Sequence, residues 1–202
     1  MKLIYGTTNI SKICSMKKRL APLDIDILGL GDVGAPPLDI DESGADPLEN
    51  ARIKALAYYR ELGAPVFSCD SGLYIEGLEA ARQPGAHIRI MDGRRLDDDG
   101  MIEQYSLLAA ELGGRMAARY QHAICLVMDE AHVYEHMGED IASEWFYIVS
   151  NPHIKRNVGF PLDSLSVHIA SGMYYFDIDG YNKKHPLADD GFAAFFRRVL
   201  FN

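Results

Sequence analysis

The apolar run Phe67-Ser68-Cys69 leads into Asp70-Ser71-Gly72, which sets a carboxylate, a hydroxyl and a glycine at the end of an expected strand. A carboxylate approached by apolar residues is partly desolvated, and its pKa rises unless a cation lies close. A divalent ion would reverse that shift and could be held there against a phosphate. Two further segments carry matching chemistry. Thr7-Thr8-Asn9-Ile10-Ser11-Lys12 brings hydroxyls, an amide and an ammonium to an expected helix start, where unpaired backbone N–H groups favour anions. Glu49-Asn50-Ala51-Arg52-Ile53-Lys54 adds an acid and a base on a second helix, with Asn50 and Lys54 four apart and therefore on one face. Each has a plainer reading as well: an Asx-type turn at Asp70, a capping-box glutamate at Glu49, and solvated lysines at positions 12 and 54.

The elements that must position these groups follow from periodicity and punctuation. Lys2–Gly6 reads as a strand and Ile10–Leu20 as a helix with Ile10, Ile13, Cys14 and Leu20 inward. A strand over Ile25–Leu30 precedes a loop rich in Gly, Pro and Asp from Gly31 to Ala45. Within it, Gly29-Leu30-Gly31-Asp32-Val33-Gly34 matches the letters of the dinucleotide fingerprint, but Ala35-Pro36-Pro37 prevents the helix that the fingerprint requires. Asp46 as N-cap, Pro47 at the first helical position and Glu49 three residues after the cap open the next helix, which Gly63 stops. Its apolar positions are Leu48, Ala51, Ala55, Tyr58 and Leu62. Val66–Cys69 and Leu73–Glu76 read as short strands on either side of an Asp70-Ser71-Gly72 turn.

Gly100–Gly113 has the pattern of an amphipathic helix with Ile102, Tyr105, Leu108, Ala109 and Leu112 inward. Met116–Met128, His132–His136 and Ile141–Val149 look like three strands of a meander, with Trp145 in the core and the two histidines on a half-buried face instead of on a metal. A strand near Met173–Ile178 and a helix near Asp190–Leu200, striped by Phe192, Phe195, Phe196 and Val199, follow.

At 202 residues and 48% apolar content, one large domain or one domain with a second lobe is expected. The sequence has no apolar run of about 18 residues, and Met1-Lys2-Leu3-Ile4-Tyr5 is too short for a secretory core, so no membrane association and a cytoplasmic location are expected. Cys14, Cys69 and Cys125 are odd in number and widely spaced, which suits free thiols. A net charge of −9 argues against nucleic acid as a partner, while a small polyanion held by a metal and a few placed cations remains compatible.

The succession Thr7 to Lys12, Glu42-Ser43-Gly44, Glu49-Asn50-Ala51 with Lys54, Asp70-Ser71-Gly72-Leu73 and Pro84-Gly85 resembles the inosine triphosphate pyrophosphatase family, the Ham1-like proteins. The resemblance implies a mixed α/β fold: an elongated twisted sheet with flanking helices, two lobes around a central nucleotide cleft, and usually a homodimer. The phosphate and metal lobe would take in residues 1–114 and 159–202, and a meander lobe residues 115–158. The implied activity is Mg2+-dependent cleavage of the α–β anhydride of nucleoside triphosphates, especially ITP, dITP and XTP, with Mn2+ as an alternative ion. Thr7, Thr8, Asn9 and Lys12 would hold the triphosphate, Glu49 and Asp70 the metal, and Asp70 and Lys12 would carry catalysis, Asp70 by activating water. Asn50, Ser71 and Gly72 would contact substrate, Lys54 would meet phosphate charge, and Phe160, Asp163 and His185 would address the base.

Departures from the family pattern fall mainly on base recognition. The family's Gly-Phe-Gly-Tyr-Asp becomes Gly159-Phe160-Pro161-Leu162-Asp163, and its Ser-His-Arg is reduced to Lys184-His185-Pro186. The first of two acids before Ser-Gly is Cys69. Two rival readings therefore accompany the hydrolase: a nucleotide-binding sensor that has lost turnover, and a hydrolase of another phosphorylated small molecule.

Overall fold

Leu3, Ile4 and Tyr5 bury side chains on both faces of the first strand, β1 (Lys2–Tyr5). The structure, a computed structural model, describes residues 1–91, 93–179 and 186–201. After Gly6–Asn9 the chain enters α1 (Ile10–Arg19) and returns as β2 (Asp26–Gly29), parallel to β1 with Leu3 opposite Ile27. A 3-10 turn at Leu30–Val33 ends on Gly34 in the left-handed region, so no α-helix opens inside the glycine-rich letters. The next helix, α2 (Pro47–Leu62), has the expected ends: Asp46 accepts from the backbone N–H groups of Leu48 and Glu49 at 2.8 and 2.9 Å, and Gly63 closes it at φ 59°.

β3 (Val66–Ile75) overturns one expectation, because Asp70-Ser71-Gly72 is not a turn. Gly72 is absent from the positive-φ glycines, and Leu73 exchanges both backbone bonds with Gly85 at 2.9 and 3.0 Å. Flanking β-branched and aromatic residues therefore carry the extended backbone through a sequence that, in isolation, favours a turn.

Further along lie a two-residue ribbon, β4 (Ile90–Met91) with β5 (Arg94–Arg95), then α3 (Asp98–Glu111), β6 (Arg115–Val127), β7 (Val133–His136), β8 (Phe146–Val149), β9 (Ser166–His168) and α4 (Pro186–Phe201). The main sheet is mixed, ordered β2-β1-β3-β6-β8-β9 with β7 also on β6. β7 pairs with Ile124–Val127 and β8 with Arg115–Ala118, so the expected meander is instead one long strand with partners on its two halves. The expected strand at Met173–Ile178 is a bridge from Tyr174 to Val167 followed by a 3-10 turn at Tyr175–Asp177.

Two compact units are present, Met1–Ser71 with Gln121–Ala142 and Pro186–Asn202, and Gly72–Tyr120 with Ser143–His185. In the first, strand alternation sends Leu3, Tyr5, Phe67, Ile124 and Leu126 toward Met16 and Leu20 of the α1 region and Phe192, Phe195 and Phe196 of α4. Ile4, Val66, Ala123, Cys125 and Val127 face the other way, onto Ala51, Ala55 and Tyr58 of α2. Tyr5 stacks on Phe67 at 4.5 Å, and Phe196 meets Phe67 edge-on at 5.1 Å. Ile10 and Cys14, expected inward, are exposed; the buried stripe of this helix runs through Ile13, Met16 and Leu20.

In the second unit, Met101, Ile102, Tyr105 and Ala109 of α3 pack on Met116, Ala118, Phe146, Ile148, Leu162 and Leu165. Leu112 stays exposed, and so does Trp145, whose ring lies under the Arg119 guanidinium at 4.9 Å instead of in the core. Among the described residues, no helix is long and apolar enough to cross a membrane.

Packing leaves little room at Gly6. A Cβ there would lie 2.5 Å from Ser68 Oγ and 2.9 Å from the Tyr58 ring, whereas at Gly31 nothing lies within 4 Å. Gly6→Ala should lose about 1–3 kcal/mol in urea unfolding, and Gly31→Ala about 0.5 kcal/mol or less.

Candidate active site

The pairing of β1 with β3 ends at Tyr5 and Phe67, and the Gly6 N–H closes the ladder on Phe67 O at 2.8 Å. Beyond that point β1 turns away toward α1 while β3 continues, so Asp70 and Ser71 lie past the carboxyl end of a parallel strand. Ligands of α/β sheets bind at such ends. Asn9 caps α1 by accepting from the Lys12 N–H at 3.2 Å, and Thr7 Oγ1 accepts from the Asn9 N–H at 3.2 Å. Thr7 and Asn9 thus shape the turn, while Thr8 is exposed and Lys12 partly so.

Alternation sends Asp70 to the α2 face of β3, where it is only 8% exposed. Lys54 Nζ donates to Asp70 Oδ1 at 2.9 Å and to Glu42 Oε2 at 3.0 Å. Burial pulls the Lys54 pKa down, but the Asp70 and Glu42 carboxylates outweigh it and leave the ammonium above its ordinary value. One cation therefore gathers two acids.

Glu42 was not among the expected metal or substrate residues, although it stood in Glu42-Ser43-Gly44. Its delivery depends on contacts that spacing does not display. Asn50, 1% exposed, accepts from the Gly44 N–H at 2.8 Å, and Glu49 Oε2 accepts from the Ala45 N–H at 2.8 Å. A Cβ at Gly44 would lie 2.6 Å from Asn50 Oδ1, so a glycine is what lets the loop close onto the helix. Asn50 and Glu49 thus strap the loop that carries Glu42 toward Lys54, and Glu42 is the carboxylate that shares this ammonium with Asp70.

Cys69 and Ser71 occupy the opposite face. Burial pushes the Cys69 thiol up to about 12, against the Tyr5 hydroxyl that donates to it and the charges of Lys12, Lys54 and Arg19. Tyr5 is itself raised, first by burial. Ser71 Oγ lies 2.7 Å from His122 Nδ1. His122 also escaped the sequence reading, because a single histidine within an apolar strand has no spacing signal.

In the second unit, Gly72 is buried, extended backbone of β3. Phe160 is 37% exposed, whereas burial raises the Asp163 pKa despite the hydrogen bond from Asn157 at 2.7 Å. His185 lies outside the described residues. His132 and His136 pair with Asp129 and Asp140.

The Ham1 family model matches residues 3–160. The chain belongs to the Ham1 family. Among its relatives, a dITP/XTP pyrophosphatase of Rhodopseudomonas palustris is 33% identical over 139 residues, 66% of this chain and 64% of that protein. The chain therefore spans somewhat less than two thirds of that relative's length. A dITP/XTP pyrophosphatase of Brucella melitensis is 29% identical over 190 residues, covering 90% of this chain and 77% of its own. The solved structure of a HAM1 protein from Coxiella burnetii superimposes with a TM-score of 0.76 at 22% identity, covering 98% of this chain and 99% of that one. That likeness shows the Ham1 fold, a central mixed sheet with flanking helices.

As a metal site, the donor set of this Ham1 chain suits a hard cation. Glu42 and Asp70 each give Lys54 one oxygen and possess a second. Among the described residues, no group of three or more His, Cys, Asp or Glu forms a ready cage. Mg2+ needs none, because it binds through one or two carboxylates and completes its shell with water and phosphate oxygens.

Removing the Lys54 amine strands two acids. Lys54→Ala should lose about 3 kcal/mol in urea unfolding, since a largely buried carboxylate is left unpaired, whereas Lys12→Ala should change stability by about 0.5 kcal/mol or less. Iodoacetamide at pH 8, read by peptide mass spectrometry, should modify exposed Cys14 and spare Cys69 and Cys125, whose thiols are both raised to about 12.

Proposed function

We propose that the chain is a Mg2+-dependent nucleoside triphosphate pyrophosphatase that converts deaminated purine triphosphates such as dITP and XTP to the monophosphate and pyrophosphate. The observation that carries this reading is the meeting of Glu42 and Asp70 on Lys54 past the carboxyl end of β1. Lys12 near the start of α1 and Lys54 both act electrostatically on Cys69, the neighbour of Asp70, which supports a polyphosphate ligand, and the activity in the names of the Rhodopseudomonas and Brucella relatives supports the reaction.

The backbone start of α1 and the Lys12 ammonium receive phosphate oxygens. Glu42 and Asp70 hold the metal, which, when bound, withdraws charge from phosphate and makes water more acidic. Lys54 aligns both carboxylates by donating a hydrogen bond to each. Asp70 accepts the proton of the attacking water as the new oxygen–phosphorus bond forms at the α-phosphorus, and the bond to the bridging oxygen breaks with its electron pair leaving on pyrophosphate. The thiol of Cys69, protonated near neutral pH, supplies neither a metal ligand nor a base, so Asp70 carries the proton transfer.

The state of Cys69 also favours a second reading, in which the chain binds nucleotides with little turnover. Pyrophosphate release separates the two. With dITP, XTP and ITP the wild type should release pyrophosphate with Mg2+ and stop with EDTA, while Asp70→Asn should lower kcat by at least about 100-fold and still fold. Tight nucleotide binding with no release would support the second reading.

A further inference from the structure

Ser71 has a partner that the proposed reaction does not yet use. Its Oγ lies 2.7 Å from His122 Nδ1, between residues 51 apart in sequence on the neighbouring strands β3 and β6. Alternation sets both on the face covered by α1 and α4: Ser71 follows Phe67 and Cys69, and His122 precedes Ile124 and Leu126. The imidazole stands against the Phe192 ring, centroids 6.1 Å apart, and Phe192 is 3% exposed with the Arg19 guanidinium 5.1 Å from its centre. The ring nitrogen is therefore presented from β6 by packed neighbours, to Ser71 on the part of β3 that runs past the end of β1.

A serine hydroxyl has one proton to donate and two lone pairs that accept. If the histidine nitrogen accepts, the proton is directed away from any incoming anion and lone pairs face it. If the nitrogen carries a proton and donates to Oγ, the hydroxyl proton is released toward the anion. Only the second arrangement attracts phosphate.

We propose that His122 is a positioning residue that donates Nδ1–H to Ser71 Oγ and so aims the Ser71 hydroxyl proton at a phosphate oxygen of the substrate. The identity of the ligand rests on the hydrolase reading; the pairing does not. His122 touches no substrate and acts through Ser71 alone.

Inorganic tripolyphosphate, which has no base, serves as the binding probe, and dITP turnover is measured beside it. Ser71→Ala and His122→Phe, the latter keeping a ring against Phe192, should each weaken tripolyphosphate by about tenfold, with the double variant no weaker than either single. His122→Asn, whose amide nitrogen can stand where Nδ1 stands, should remain within about threefold of wild type, as expected when one hydrogen bond is kept. With dITP the loss should fall on KM more than on kcat. Wild-type affinity in His122→Phe, additive losses in the double variant, or equal losses in His122→Phe and His122→Asn would overturn the proposal. A wild type that binds tripolyphosphate but hydrolyses no nucleotide would instead refute the hydrolase reading, and the binding cycle would still decide the role of His122.

Discussion

One ammonium group holds the candidate site together. Lys54 sits between Glu42 on a loop and Asp70 on a strand, and it is the only charge shown bridging these two elements among the described residues. The cation draws both acids to one point through one oxygen of each and leaves each a second carboxylate oxygen. Most of the surrounding architecture serves that arrangement: α2 presents Lys54, Asn50 and Glu49 strap the loop, and the capped, glycine-stopped ends of α2 set its position beside β3.

The continuity of β3 has a second consequence. Because the strand does not turn at Asp70, successive residues address opposite faces, and the acid and the hydroxyl belong to different sets of neighbours. Asp70 belongs to α2 and its lysine, whereas Cys69 and Ser71 belong to the face of α1 and α4 with Tyr5, Phe192 and His122. A ligand can meet both sets only where the neighbouring strand has ended, which is the place that the β1 register defines. Cys69 shows what the apolar face imposes: even with three cations acting on it, burial dominates and the thiol stays protonated.

Much of this was legible in the residues. Helix α2 announced itself through Asp46, Pro47 and Gly63 because caps are local chemistry, and the rejected dinucleotide letters failed for a local reason, the prolines that follow them. Asp70 and Lys54 each stood out through the family resemblance, one as an acid for a metal and the other as a cation for phosphate, though not as partners of each other. The rest depends on tertiary context. The Asp70-Ser71-Gly72 segment has turn propensity that strand pairing overrides, Trp145 is apolar by type yet covered by an arginine, and the strand expected at Met173–Ile178 lacks a sustained partner. Glu42 and His122 were missed for one shared reason: each reaches its partner across a contact between separate elements, which no periodicity records.

Glu42 on the loop, and not Glu49 at the helix start, meets Asp70 through Lys54. Measuring the Mg2+ concentration for half-maximal pyrophosphate release in Glu42→Gln and Glu49→Gln tests that assignment directly. Loss of a metal-binding carboxylate should raise the requirement by about tenfold or more in Glu42→Gln, while Glu49→Gln, which alters a helix cap, should stay near wild type. The reverse order, with Glu49→Gln demanding more Mg2+ and Glu42→Gln unchanged, would contradict the arrangement built on Lys54.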